Sequence, residues 1–464
     1  MRRRGFFVKA KIIFVLCACF LLGSFLGLWL QDRAQDAKGI ASGVWVGEFQ
    51  LAGLSPEEAQ ELLTREYQRL FQRTLVIAHG DQTWQLEPEE LGVKANLSNL
   101  VAEAYKVGRE GNLLQRFLVR LQVKKQKLVL EPQLAVDEEK IAEIGAKLAA
   151  EIDRRPQNAR LEVKGTKVEV VPSVSGKRVE VEKLPDFFKG AVLSPKEKHP
   201  LPVEVVSPSL TTEEVRSWGI REQIAGFATR FNPENTGRLK NIKIAAGKLD
   251  GFVLMPGEEF SFNKIVGNRG VKEGYAEAPV IIDGELVPGV GGGVCQVSST
   301  LYNVILLAGL KASKRSHHSM PVSYLPIGRD AAVAYDYLDL RFKNTLSSAL
   351  LFKTYVEGDR LRIALYGPST KQEISLESII EEEIPAGVEE KADPSLAPGT
   401  VKVLRQGVSG YRVKVWRVFK EGGKVKRREL ISSDYYKPVS KIVIKGPEPE
   451  KKETVSETVS EEEI

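Results

Sequence analysis

The sequence predicts an α+β multidomain chain behind an N-terminal transmembrane helix, closing on a β-rich unit. Three observations predict it. A charge-free apolar run, Ile12 to Leu30, follows Arg2, Arg3, Arg4, Lys9 and Lys11, and about 20 such residues span a bilayer. Beyond it, short strands and capped helices succeed one another over a chain of 464 residues, too many for one core when domains average about 150. Near the end, Tyr411 to Phe419 alternates apolar and polar residues ahead of Glu421-Gly422-Gly423-Lys424, a hairpin turn.

Residues 1–11 read as a cytoplasmic basic segment and 12–30 as the span. Basic residues lead it and a mixed flank follows (Asp32, Arg33, Asp36, Lys38), which predicts the N-terminus inside and the bulk outside. A cleaved signal peptide would carry a shorter apolar core and small residues before its cut; Leu28-Trp29-Leu30 meets Gln31 without such a site. A lipoprotein signal ending at Cys19 would leave Phe20 to Leu30 apolar behind it. Cys17 and Cys19 fall inside the run, so Cys295 is the only cysteine beyond it. No disulfide can then form within one exported copy, and the thiol is either buried filler or a reactive group. The chain has 67 basic and 61 acidic residues, a net +6. That mild excess, with no basic helix interleaved with aromatics, argues against nucleic acid as a partner.

Residues 44–206 read as α+β modules. Ser55 caps a helix with Pro56 at its first position and Glu58 completing a capping box. Leu75 to Leu86 reads as a hairpin around Gly80-Asp81, with a helix over Ser98 to Arg109 after it. Leu128 to Leu130 is a strand, and Asp137 caps a helix to Ile152. Leu161 to Val171 is a second hairpin, and a short helix begins near Val181. The repeated hairpin and capped helix, with Trp84-Gln85-Leu86 and Val174-Ser175-Gly176-Lys177, resemble a peptidoglycan-binding module; a spacer would look the same. Pro195 to Pro208 reads as a linker. Residues 211–368 form the next domain, and residues 373–446 the β-rich one. The latter resembles the G5 domain through Ile384-Pro385, Pro398-Gly399, Gly407 to Gly410 and Val443-Ile444-Lys445-Gly446; that resemblance implies wall binding, and a β spacer fits equally. Residues 447–464, with seven Glu and no aromatic, read as a disordered acidic tail.

The chemistry concentrates in Gly289-Val290-Gly291-Gly292-Gly293-Val294-Cys295-Gln296-Val297-Ser298-Ser299-Thr300-Leu301-Tyr302-Asn303. Glycines allow positive φ and close backbone approach. After them Val297, Leu301, Val304, Ile305 and Ala308 recur at helical spacing, so a helix starts near Cys295. The positive end of its dipole favours the thiolate, the nucleophilic form, and its free N–H groups suit an oxyanion. A cysteine nucleophile needs a base, and in this domain only His317 and His318 qualify. An acid in or before the strand-like stretch Ala331 to Leu340 (Asp330, Asp336, Asp339) would orient the ring. Nothing follows the glycines that a phosphate loop requires, and one Cys with two adjacent His lacks metal-ligand spacing. No metal and no cofactor are expected.

Asn232-Pro233, Gly237-Arg238, Leu249-Asp250-Gly251, Pro256-Gly257-Glu258, Phe260-Ser261-Phe262-Asn263, the Gly289 to Asn303 run, His318-Ser319 and Gly328-Arg329-Asp330 together resemble the VanW family, from about Glu222 to Lys353. One departure is Ala332, where relatives often carry Thr. The resemblance implies an association with vancomycin-resistance clusters and an L,D-transpeptidase forming 3-3 cross-links, with Cys295 as nucleophile and His318 as base and then acid. Asp330 is the expected orienting acid. The expected substrate contacts are Arg238, Arg269 and Arg329, which would pair with carboxylates, and Gly291, Gly292, Gly293, Ser298 and Tyr302. The partners would be peptidoglycan stem peptides and glycan, met from the membrane. A non-catalytic wall-binding or assembly protein, with the glycine run as a ligand cradle, is the alternative; a hydrolase with the same dyad is a third.

Overall fold

The computed structural model describes residues 2–36, 39–282, 284–370 and 372–448. It divides into two compact units: Met1–Gln157 with Val174–Pro208, and Asn158–Ser173 with Ser209–Ile464. The acidic-tail expectation falls, from residue 449 on, outside the described residues.

The first unit opens with the helix Arg2–Asp36, whose apolar stretch Lys11–Gln31 is long enough to cross a membrane. Ser55 caps the helix Pro56–Phe71: Glu58 N–H donates to Ser55 Oγ at 3.1 Å, and Ser55 N–H donates to Glu58 Oε2 at 2.8 Å. Ala59, Leu63 and Tyr67 on its inner face join Val44 and Val46 in one core. The hairpin Leu75–His79 with Gln82–Leu86 lies over a second core containing Ile77, Ile141, Leu148 and Phe188. The proline-rich stretch is not a free linker. Lys198–Pro200 pairs in parallel with Leu75–His79, and Val203–Val206 pairs with Gly176–Val179. Pro200 ends an edge strand, where a missing N–H costs no ladder bond.

The second unit is built on a six-stranded antiparallel sheet. Its order is Val253–Leu254, Leu350–Glu357, Arg360–Gly367, Glu222–Arg230, Lys167–Val171, Arg160–Lys164. The hairpin expected to repeat within the first modules therefore extends this sheet, through the pair Glu222 with Lys167. The helix Val294–Leu307 packs across Glu222–Arg230 and Arg360–Gly367. It is buried nearly all round, so its polar side chains need internal partners. Thr300 Oγ1 meets Thr229 Oγ1 at 2.8 Å, and Asn303 Nδ2 donates to Arg329 O at 2.8 Å. Phe260 stacks on Phe342 and Phe352 beside it. Ala331 to Leu340 is not a strand. Asp336 adopts φ 61°, folding Ala334 back on Leu338, and Asn263 Nδ2 donates to both of their carbonyls.

Two three-stranded sheets form the C-terminal part of this unit. Glu373–Ile384, Gly410–Glu421 and Lys424–Tyr436 form one; Val388–Ala392, Lys441–Lys445 and Val401–Arg405 form the other. Gly422 and Gly423 both take positive φ (54° and 76°), as the tight turn between the long strands requires.

Candidate active site

The glycine run links a strand to a helix. Glu285–Val290 pairs with Glu277–Ile282 as a hairpin, and Val294–Leu307 follows three residues later. At Gly292 a Cβ would lie 2.6 Å from the carbonyl oxygens of Ala278 and Pro279, so no side chain fits. Gly293 caps the helix at φ 107°, a conformation side chains rarely adopt. Asn241 Nδ2 donates to Gly292 O at 3.0 Å and to Ala276 O at 2.8 Å, and its Oδ1 accepts Ala276 N–H at 2.7 Å, fixing the turn.

Cys295 is the second residue of the helix and half-buried. It lines a cavity of about 790 Å³ shared with His318, Arg238, Arg269, Tyr324 and all three glycines Gly291, Gly292 and Gly293. Its thiol donates to Val333 O at 3.4 Å. The His318 ring shares the cavity wall with the sulfur, near enough to act on its ionisation. On its other side, His318 Nδ1 meets Asp330 Oδ2 at 2.5 Å; beside an ionised carboxylate that nitrogen must be the donor. His318 N–H donates to the same oxygen at 2.7 Å. His317 turns away, its Nδ1 on His318 O at 2.7 Å and its ring 4.9 Å from that of Tyr436.

The electrostatics favour an ion pair. Burial pushes the Cys295 thiol up, but the hydrogen bond and charge of His318, with the Arg269 guanidinium, hold it below its ordinary value. Burial opposes charge on His318 too, yet its bonds to Asp330 and Cys295 raise it to about 9. Asp330, despite burial, is lowered to about 2 by His318 and Arg315. Imidazolium is then the form of His318 at neutral pH, and the same contacts favour loss of the Cys295 proton. Arg238 and Arg269 add positive charge. Arg238 Nη2 donates to Gln296 Oε1 at 2.7 Å, and Arg269 Nη2 donates to Asn263 Oδ1. Among the described residues neither guanidinium pairs with a carboxylate, and burial lowers the pKa of both. Two N–H groups expected to serve an oxyanion are spent on the turn: Val294 N–H bonds Gly291 O and Gln296 N–H bonds Gly293 O.

Three of the expected substrate contacts do not line this cavity. Ser298 Oγ donates to Ala331 O at 2.6 Å, because three residues along the helix it faces the Asp330 loop. Tyr302 is buried beneath Arg315, 5.3 Å from its ring centroid. Arg329 Nε donates to Asn303 Oδ1 at 2.6 Å, with its guanidinium over Phe227. Each is tied into the protein instead. Gln296, which holds Arg238 and donates to Thr229 Oγ1 and Arg230 O, was not singled out from sequence. Its neighbour in the motif, Cys295, is the only local clue to it.

Three family models match the chain in order. "Putative peptidoglycan binding domain" covers residues 84–198, "VanW like protein" residues 237–366 and "G5 domain" residues 376–448. "Uncharacterized protein YoaR" of Bacillus subtilis is 37% identical over 50% of this chain and 75% of its own length. "Vancomycin B-type resistance protein VanW" of Enterococcus faecalis is 34% identical over 22% of this chain and 40% of its own. Among solved structures, "Crystal structure of HP0197-G5" is 26% identical, covering 17% of this chain and all of its own, with a TM-score of 0.12.

Proposed function

This chain belongs to the VanW-like family, and we propose that it is a cell-wall acyltransferase whose nucleophile is Cys295. Peptidoglycan-binding and G5 regions flank the cysteine domain, a combination that fits work at the wall. The apolar helix Arg2–Asp36 would hold the chain at the membrane with its bulk outside.

The observation that carries this reading is the placement of His318, bonded to Asp330, on the same cavity wall as Cys295. The Cys295 thiolate attacks the carbonyl between a meso-diaminopimelate-type residue and the terminal D-Ala of a donor stem peptide. The C–N bond breaks, and His318 gives its proton to the departing D-Ala amine. A thioacyl-enzyme remains. The side-chain amine of an acceptor stem attacks it, His318 takes the amine proton, and the thiolate leaves. The product is a 3-3 cross-link. Arg238 and Arg269, half-buried and, among the described residues, without an acidic partner, suit the carboxylates such peptides carry.

The test is incubation of the purified full chain with muropeptides, followed by mass spectrometry. Cross-linked dimers with free D-Ala are expected. Monomers shortened by D-Ala alone would make water the acceptor. Neither product, with binding to sacculi intact, would leave a wall-binding protein.

A further inference from the structure

The strand Lys424–Tyr436 lies within the region matched by the G5 model, yet its end reaches the cysteine site. Tyr436 is 1% exposed. Its hydroxyl donates to Asp330 Oδ1 at 2.5 Å and accepts the Gly328 N–H at 3.1 Å. Two residues earlier, both oxygens of Asp434 accept from Arg315 Nη1 at 2.7 Å. That arginine also donates from Nε to Asp330 O at 2.7 Å, and from Nη2 to Gly328 O at 3.0 Å and Asp330 Oδ1 at 3.4 Å.

The neighbouring strand Gly410–Glu421 contributes too. Gly328 takes φ +86°, and a Cβ there would lie 2.7 Å from Val415 Cγ2. Arg417, 1% exposed, donates to Leu306 O at 3.2 Å and Leu310 O at 2.6 Å, at the far end of the helix that begins with Val294 and Cys295. Glu429 neutralises it at 2.7 Å.

Asp330 thus accepts from His318 twice, from Tyr436 and from Arg315. Four donors fill the lone pairs of one carboxylate. Two of the four come from, or are anchored by, the C-terminal β unit. We propose that Tyr436 is a positioning residue of the cysteine site, backed by Asp434 behind Arg315, and that this β unit completes the acid–imidazole–thiol arrangement. The proposal rests on the reading of Cys295, His318 and Asp330 as the reacting set. Neither a spacer nor a wall-binding surface needs a buried hydroxyl aimed at that carboxylate.

The two residues act on Asp330 in opposite senses. Without the Tyr436 hydroxyl the carboxylate keeps more of its charge for the imidazolium, and His318 holds its proton to higher pH. Without the Asp434 charge, Arg315 is less neutralised, and its positive charge drives the His318 proton off at lower pH. The experiment uses the full chain with ring-labelled histidine, and His318→Gln identifies the resonance. His318 titrations are recorded for wild type, Tyr436→Phe and Asp434→Asn, with melting temperatures and cross-linking rates. The midpoint should rise in Tyr436→Phe and fall in Asp434→Asn. Turnover in Tyr436→Phe should drop roughly 10- to 100-fold, the size of one hydrogen bond to a charged group. Shifts of opposite sign in folded variants support the proposal, even if wild type forms no dimers; that outcome would remove the transfer reading alone. Unmoved midpoints in both variants would overturn it. So would a variant that merely melts earlier while its remaining folded fraction titrates as wild type.

Discussion

His318 is bonded twice to one oxygen of Asp330, through ring Nδ1 at 2.5 Å and through its own N–H at 2.7 Å. The double contact fixes both the backbone and the ring. It sets the tautomer, so the remaining ring nitrogen is the one presented to Cys295. At 7% and 2% exposure the two side chains are shielded from water, and their attraction is correspondingly strong.

Asp330→Asn tests that relationship. An amide carries no charge to hold the imidazolium, so His318 should fall from about 9 toward its ordinary 6.5. The thiolate then loses its counter-ion. Cross-linking should drop by roughly a thousandfold or more, as in serine triads that lose the acid's charge. Dimer formation by mass spectrometry reads it, and a rate near wild type would remove Asp330 from the reacting set.

The pH dependence separates the two roles of the ion pair. The depressed Cys295 value means thiolate persists below the ordinary thiol range and is lost only as pH falls through that lowered value. The raised His318 value means imidazolium is complete below neutral pH and is lost as pH rises through about 9. Iodoacetamide consumes thiolate and needs no acid, so alkylation should stay high above pH 9. D-Ala release needs the imidazolium proton, so turnover should decline there. Two profiles that fall together would contradict the ion pair.

Arg269 bears on both binding and the thiol. Arg269→Met removes a charge that lowers the Cys295 value, so half-maximal alkylation should move to higher pH. It also removes a fork for substrate carboxylate, and kcat/KM should fall about 10- to 100-fold, mostly through KM. Arg269→Lys keeps the charge but not the fork. It should restore the alkylation profile and leave much of the KM defect. A lysine variant with wild-type KM would argue that no planar carboxylate is held there.

Local signals made part of this site legible and left the rest hidden. Glycines followed by helical spacing announced the Cys295 helix, because both the turn and the helix are local. The Leu161 to Val171 arms were legible as a hairpin, but not their partner, since one pair, Glu222 with Lys167, joins them to a distant strand. The apolar–polar alternation after Asp330 pointed to a strand that a single positive φ at Asp336 converts into a fold-back. Tyr436 and Arg315 carry no sequence signal at all. Their roles arise from strands packed beside the Asp330 loop, and no local periodicity encodes that approach. Ser298, Tyr302 and Arg329 share the motif's neighbourhood in sequence, but helix and loop geometry turn them into the interior.

Cys295→Ser is the decisive substitution for the reaction itself. The change is nearly isosteric, and a serine hydroxyl can still donate to Val333 O, the contact the thiol makes at 3.4 Å. Half-buried at the cavity wall, the sulfur gives up little packing, so the melting temperature should stay within a few degrees, the size of about 1 kcal/mol. Chemistry should not survive. A hydroxyl ionises far above a thiol, and neither the helix terminus nor His318 can bring it to neutral pH without the full proton-transfer cost. Sacculus binding should persist, because it is assigned to the flanking regions. Melting, sacculus pull-down and dimer formation on the same preparation read the three quantities separately. Dimers formed at the wild-type rate would remove Cys295 as nucleophile. A fall of many degrees in melting temperature would instead make the thiol a packing residue, and the glycine run a turn that serves the fold alone.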